Sequence, residues 1–189
     1  KIISFKTVFS TPYFQIQENK LQHGLDGHPY YRMTGNDSVI CCIMMDNCNF
    51  LMVKQYRPNL EVETIEFTAG GIEKNESHLE AAKREISEET GYECDLLYLG
   101  AFRLLLNRTN TNEHLYFCIN PKIIPNSKVE KGIKTIEISR KKLKILTENG
   151  NYFQLAGLGI LHLISMKLKI DIMTENIKKI KKRFYNNQQ

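Results

Sequence analysis

One helix in this chain is bounded at both ends by its own sequence, and strand-like segments surround it. Ser77 followed three residues later by Glu80 is a capping box, in which hydroxyl and carboxylate each satisfy an orphan backbone N–H. Leu79, Ala82 and Ile86 fall on one helical stripe predicted to face the core. Gly91 supplies the left-handed terminator. Before the helix, FQIQ (14–17) alternates, and HGLDG (23–27) followed by HPYYRM predicts a hairpin into another strand. VICCIMM (39–45) is an apolar β-rich run, Asp46-Asn47 a turn, and FLMVKQY the partner strand. ETIEF (63–67) is a strand stopped at Gly70-Gly71. After the helix, DLLYLGAF and LYFCI (115–119) are strands separated by the polar loop LLNRTNTNEH, and TIEIS (135–139) is another. Helical pattern dominates from Arg140, with a long stretch predicted from Tyr152 to the basic tail. Strands on both sides of a well-marked helix make the chain α/β.

At 189 residues the chain fits one domain with a small appendage. Residues 1–38 read as short strands, a small N-terminal β subdomain, and 39–189 as the main domain. Cys41, Cys42, Cys48, Cys94 and Cys118 are odd in number and show no C-x-x-C spacing, which supports neither a disulfide framework nor a zinc site. Reduced thiols and a cytoplasmic setting are the simplest expectation. LAGLGILHLISM, from Leu155, is too short and too interrupted to span a bilayer, so no membrane partner is expected. The net charge of +5 is unevenly placed. KKIKKR (178–183) reads as a solvated helix end suited to the helix dipole, and nucleic acid is not an expected partner.

The helix carries Glu85, Glu88 and Glu89 as E-x-x-E-E. At 100° per residue these three lie along one edge, and the Cβ atoms of Glu85 and Glu89 are roughly 5–6 Å apart. Without a counter-charge their repulsion raises their pKa values and costs stability. A divalent cation removes that objection, and hard oxygen ligands at this spacing suit Mg²⁺ or Mn²⁺. The alternative is a solvated acidic face paired with Lys83 and Arg84. Arg84 precedes Glu88 by four residues and can hold it, while Gly70-Gly71 lets backbone approach a phosphate closely.

Gly70, Glu76, Arg84, Glu85, Ile86, Glu88, Glu89 and Gly91 resemble the Nudix box, G-x5-E-x7-R-E-U-x-E-E-x-G-U, with Tyr92 in place of the final aliphatic residue. The resemblance implies an α/β/α sandwich with a mixed sheet and hydrolysis of a diphosphate linked to another moiety. It implies Glu85, Glu88, Glu89 and the Ala69 carbonyl as ligands of Mg²⁺, with Mn²⁺ as the other candidate ion. Arg84 is implied as the residue that orients a carboxylate. VKQYRPNLEVETIEFTAGGIE (53–73) is similar to the segment preceding the box in ADP-ribose and nucleotide-sugar pyrophosphatases. The strands before Val39 resemble the small domain that those enzymes exchange in a homodimer. Arg57 and Glu66, with Gly70 and Gly71, are then candidate substrate contacts; for Arg57 and Glu66 a structural salt bridge is the alternative.

Two departures bear on the substrate and the base. A proline-glycine signature usual in the loop after the box is replaced by LLNRTNTNEH, and the later loop KVEKGIKTIEIS (128–139) puts Lys131 and Lys134 where acids are expected. Glu130 is the nearby carboxylate and a candidate general base, with Glu85 or Glu89 as the other candidates. The resemblance implies a nucleoside diphosphate sugar as substrate, ADP-ribose first, cleaved to a nucleoside monophosphate and a sugar phosphate. The alternatives are a UDP-, GDP- or CDP-sugar pyrophosphatase and a non-catalytic nucleotide-sugar binding or regulatory module. His78 and His114 read as isolated histidines in surface or loop hydrogen bonds. Tyr13, Phe14, Tyr30 and Tyr31 read as strand packing, with base stacking at a dimer interface as the alternative.

Overall fold

The computed structural model describes residues 1–23 and 28–188. Three strands, β1 (Ile2–Ser10), β2 (Phe14–Leu21) and β3 (Tyr30–Gly35), form an antiparallel sheet of their own. The β2–β3 pairing runs from Phe14↔Gly35 to Asn19↔Tyr30, and the turn predicted within HGLDG lies outside the described residues. β1 is a full nine-residue strand, longer than the short strands its sequence suggests. Most of it is exposed, so no buried-face alternation marks it. Tyr13 is 85% exposed and so packs on little.

The remaining strands are β4 (Ser38–Met44), β5 (Phe50–Arg57), β6 (Val62–Glu66), β7 (Thr68–Gly71), β8 (Tyr92–Phe102), β9 (Glu113–Ile123) and β10 (Lys134–Ile138). They form one sheet in the order β10-β5-β4-β9-β8, with β6 paired to β5 and β7 to β4. β4 runs parallel to β9 and the other pairs are antiparallel, so the sheet is mixed. The apolar run 39–44 explains its central place. Successive strand residues point to opposite faces, and here both faces are buried. Val39, Cys41 and Ile43 meet α1 (His78–Thr90). Ile40, Cys42 and Met44 meet the layer built from α2 (Arg140–Glu148), α3 (Leu155–Leu168) and α4 (Ile177–Asn186). The result is an α/β/α sandwich.

Two helical expectations are corrected. Leu79 is exposed, and α1 instead buries Ala81, Ala82, Glu85, Ile86, Glu89 and Thr90. The apolar stripe of α1 is thus shared with two carboxylates, which a hydrophobic pattern cannot reveal. The long helix expected after Tyr152 is two helices: Lys169 takes a left-handed conformation that ends α3, and the Asn176 side chain caps α4. α4 anchors through buried Ile180 and Phe184, each worth about 1.5–3 kcal/mol of transfer free energy, and its cationic side chains stay outside. The polar loop 103–112 is tied to the small sheet. Tyr30 Oη donates to the Asn107 carbonyl (2.5 Å), and Met33 N–H donates to the Arg108 carbonyl (2.7 Å). Among the described residues no helix is long and apolar enough to cross a membrane.

Candidate active site

The capping box forms as its residues dictate. Ser77 Oγ accepts from Glu80 N–H (3.2 Å), and the Glu80 carboxylate accepts from Ser77 N–H (2.8 Å). Gly91, at φ +75°, closes the other end and donates to the Ser87 carbonyl. So fixed, α1 lays its carboxylate edge against β7. A Cβ on Gly70 would sit 2.0 Å from the Glu85 carboxyl carbon, so only glycine lets that side chain rest on the strand backbone. One residue earlier, Ala69 N–H donates to Glu89 Oε2 (3.2 Å).

Arg84 ties this edge together. Its guanidinium donates to both oxygens of Glu76 (2.8 and 3.0 Å), to Glu85 (2.7 Å), to Glu88 (3.2 Å) and to the Gly71 carbonyl (2.9 Å). That set raises its own pKa above an already high value. Glu76, whose place in the box carries no role by spacing alone, anchors Arg84.

The electrostatics of the buried pair are unfavourable. Burial pushes Glu89 up to about 8; the Ala69 N–H opposes this, and the charges of Glu85, Glu130 and Glu66 add to it. Glu85 is also raised, first by burial, against the help of Arg84. Glu130 therefore faces this edge electrostatically, and its N–H donates to the Glu88 carbonyl (2.8 Å). Of the loop lysines, Lys131 is exposed, while Lys134 lies in β10 opposite Lys54 and its charge acts on Glu63.

Arg57 and Glu66 meet each other in a two-bond pair (2.8 and 2.6 Å), and Thr64 Oγ1 adds a third hydrogen bond to Glu66 (2.5 Å). Burial opposes ionisation of Glu66, but these partners outweigh it and lower its pKa. The pair lines a cavity of about 270 Å³ with Asn59, Leu60, Phe153 and Gln154. Phe153 and Gln154 come from the α2–α3 connection, and no local motif announces them. A larger cavity, about 480 Å³, lies behind α1 between Lys83, Ser87, Tyr92 and Asn120, and takes in none of the site's carboxylates.

His78 and His114 are not isolated. Their rings stack at 4.5 Å and 9°. His78 Nδ1 shares a hydrogen bond with Tyr116 Oη (2.5 Å) and His114 Nδ1 one with Tyr98 Oη (3.0 Å). Strand pairing brings the two tyrosines together across β8 and β9, a proximity invisible in linear sequence.

Among the described residues no three carboxylates, histidines or cysteines converge ready to coordinate one ion, since Glu85 turns to Arg84 and Glu89 to Ala69. The donor chemistry nevertheless fits a hard divalent cation. Two buried carboxylates lie side by side against a strand backbone, with raised pKa values that a positive charge would relieve.

The NUDIX domain profile matches residues 35–138, more than half of the chain. The chain belongs to the Nudix family. Among curated relatives, the methanol dehydrogenase activator of Bacillus methanolicus is 32% identical over 96 residues, which is 50% of this chain and 52% of that protein. The ADP-sugar pyrophosphatase of Mus musculus is 51% identical over 46 residues, 24% of this chain and 21% of its own. The ADP-ribose pyrophosphatase of Bacillus subtilis (strain 168) is 42% identical over 55 residues, 29% and 30% of the two chains. The matches thus span about half or less of these relatives. A crystal structure of an ADP compounds hydrolase superposes with a TM-score of 0.76 at 21% identity, over 89% of this chain and 94% of the other. At that identity the likeness shows the fold alone.

Proposed function

We propose that this Nudix protein hydrolyses the pyrophosphate bond of a nucleoside diphosphate sugar, ADP-ribose first, releasing a nucleoside monophosphate and a sugar phosphate. One observation carries the reading. Glu85 and Glu89 are buried together against Gly70 and Ala69, an arrangement unfavourable alone and useful once a cation is bound. The names of the mouse and B. subtilis relatives point to the same substrate class.

Glu85, Glu88, Glu89 and the Ala69 carbonyl would hold Mg²⁺ or Mn²⁺. Bound there, the ion supplies charge neutralisation of the diphosphate and acidification of water. The chain's own groups do the rest. Arg84 holds Glu85 and Glu88 in place; it is an orienting residue. Glu130, beside the buried pair, takes the proton of the attacking water, with Glu85 or Glu89 as the alternative acceptors. The water oxygen bonds to one phosphorus as the bridging P–O bond breaks, leaving two monophosphates. The space over Gly70 is taken by the Glu85 carboxylate, so it is the open backbone at Gly71 that leaves room for the diphosphate along β7, and the Arg57–Glu66 pair forms the wall of the adjoining cavity.

The partner in this proposal is a second copy of the chain, with residues 1–38 as an exchanged subdomain and 39–189 as the catalytic unit. Exposed Ile3, Phe5 and Phe9 on β1 and Leu104–Leu106 on the loop bound to β3 support it. A cytoplasmic setting accords with five free thiols.

The test is incubation with Mg²⁺ and a panel of ADP-ribose, UDP-, GDP- and CDP-sugars, dinucleotides and capped RNA, with products identified by mass spectrometry. Turnover of ADP-ribose that is abolished in Glu85→Gln and Glu89→Gln is the expected result. Binding of nucleotide sugar without turnover on any compound would sink the hydrolase reading. Light scattering of Phe5→Asp checks the dimer: a wild-type monomer refutes it.

A further inference from the structure

Tyr152, Phe153 and Gln154 lie beyond the matched residues 35–138, yet they reach the strand on which the site is built. β6 ends at Glu66, paired with Val53 of β5, and β7 begins at Thr68, paired with Cys41 of β4. Phe67 is the residue at which the chain passes from one ladder to the other. Among the described residues it pairs in neither. A buried backbone N–H and C=O without partners are costly. The Gln154 amide supplies both: Phe67 N–H donates to Oε1 (2.9 Å), and Nε2 donates to the Phe67 carbonyl (3.3 Å). One side chain therefore stands in for a neighbouring strand.

The rest of the segment keeps that amide in place. Tyr152 Oη donates to Gln154 Oε1 (3.1 Å), and the Tyr152 and Phe67 rings meet edge-on at 6.5 Å. Gly157, in the first turn of α3, leaves the space. A Cβ there would lie 1.9 Å from Tyr152 Oη and 2.8 Å from Gln154 Oε1. The clamped residue sits between the two halves of the site. Glu66, holding Arg57, immediately precedes it, and Ala69, donating to Glu89, is two residues on.

We propose that Gln154 is a positioning residue of the hydrolytic site, its amide fixing the ladder switch at Phe67 and thereby the spacing between the Arg57–Glu66 wall and the Ala69–Gly70 backbone against which Glu89 and Glu85 rest. This rests on the hydrolase reading above. The C-terminal helical layer thus helps set the geometry of catalysis through this residue.

Gln154→Leu keeps the volume and removes both bonds, and Gly157→Ala displaces the same amide without altering it. Tyr152→Phe removes only the bracing hydroxyl. Ile164→Val, buried in the same layer, controls for general loosening. Amide exchange over 66–70 is followed in the metal-free proteins, Mn²⁺ alone is titrated for binding, and ADP-ribose turnover is measured against Mg²⁺. Gln154→Leu and Gly157→Ala are expected to speed exchange of Phe67 by about tenfold or more, weaken Mn²⁺ about tenfold, and lower kcat by roughly 10–100-fold with a smaller change in KM. Tyr152→Phe should shift each by less than about threefold, since both Phe67 bonds remain. Ile164→Val should lower Tm and leave exchange at Phe67 and Mn²⁺ affinity at wild-type values. If Gln154→Leu and Gly157→Ala behave like Ile164→Val, the proposal is overturned. If Gln154→Leu does not fold, Gly157→Ala decides by the same readouts. Absence of wild-type turnover would remove the hydrolase reading, while exchange and Mn²⁺ binding would still decide the clamp.

Discussion

Replacing Glu89 with glutamine should stabilise the metal-free protein while abolishing its activity. Glu89 is buried and its pKa rises from 4.5 to about 8. From about pH 4.5 to 8 the folded chain keeps that proton while the unfolded chain releases it. Stability therefore falls as pH rises through this window and levels off above it. Each unit is worth about 1.4 kcal/mol, so the full displacement corresponds to roughly 5 kcal/mol. Relaxation and the shared charge of Glu85 reduce the realised gain to about 1–3 kcal/mol. Glutamine keeps an oxygen for Ala69 N–H and has no proton to release. At about 2–4 °C per kcal/mol, Glu89→Gln should melt roughly 3–10 °C above wild type at pH 8.5 in chelator. Near pH 5 the two should agree within a degree or two, because both side chains are then largely neutral. Excess Mg²⁺ should raise the wild-type Tm by mass action and leave the variant nearly unmoved. Calorimetric or fluorescence melts at three pH values, with chelator and with Mg²⁺, make the test. A variant no more stable than wild type at pH 8.5 in chelator, or a difference that does not grow with pH, would refute the argument.

Arg84→Ala removes the group that joins Glu76, Glu85, Glu88 and the Gly71 carbonyl. A loss of about 2–3 kcal/mol in denaturant titration and at least a tenfold fall in turnover are expected. Gly70→Ala should fold, because its Cβ meets the flexible end of Glu85, but the displaced carboxylate should reduce Mg²⁺-dependent turnover about a hundredfold or more. Burial pushes the Cys94 thiol up to about 12, with Cys41, Asp95 and Glu93 adding to the effect. Cys94 should therefore resist iodoacetamide at pH 8 in the folded protein, and mass spectrometry after brief labelling tests this.

The parts of this molecule legible in its sequence are those governed by local rules. The Ser77 box, the Gly91 terminator, the β4–β5 hairpin and the carboxylate ladder each depend on residues within a few positions of one another. What stayed hidden depends on distant pairing. Leu79 is exposed because α1 turns Glu85 and Glu89 inward, a choice governed by β7 and not by hydrophobicity. His78 and His114 stack only because β9 brings position 114 beside the start of α1. Gln154 is a polar residue before an apolar helix, and nothing near it in sequence points to Phe67, 87 residues away. The break between α3 and α4 turns on Lys169, a left-handed residue with no glycine to signal it in the sequence.

The parallel pairing of β4 with β9 carries a cost during biosynthesis. β5 and β7 pair with β4 early, but along its other edge Ser38–Ile43 find their partners only when Glu113–Cys118 have been made, and everything between must cross over first. Until then one margin of an uncharged, Pro-free apolar segment, VICCIMM, stands open to other chains. Such non-local closure is slow, and a half-made chain of this kind is prone to self-association. Refolding yield should therefore fall with concentration even where the finished protein is stable. A nascent chain arrested before β9 should call on chaperones that the completed molecule does not need.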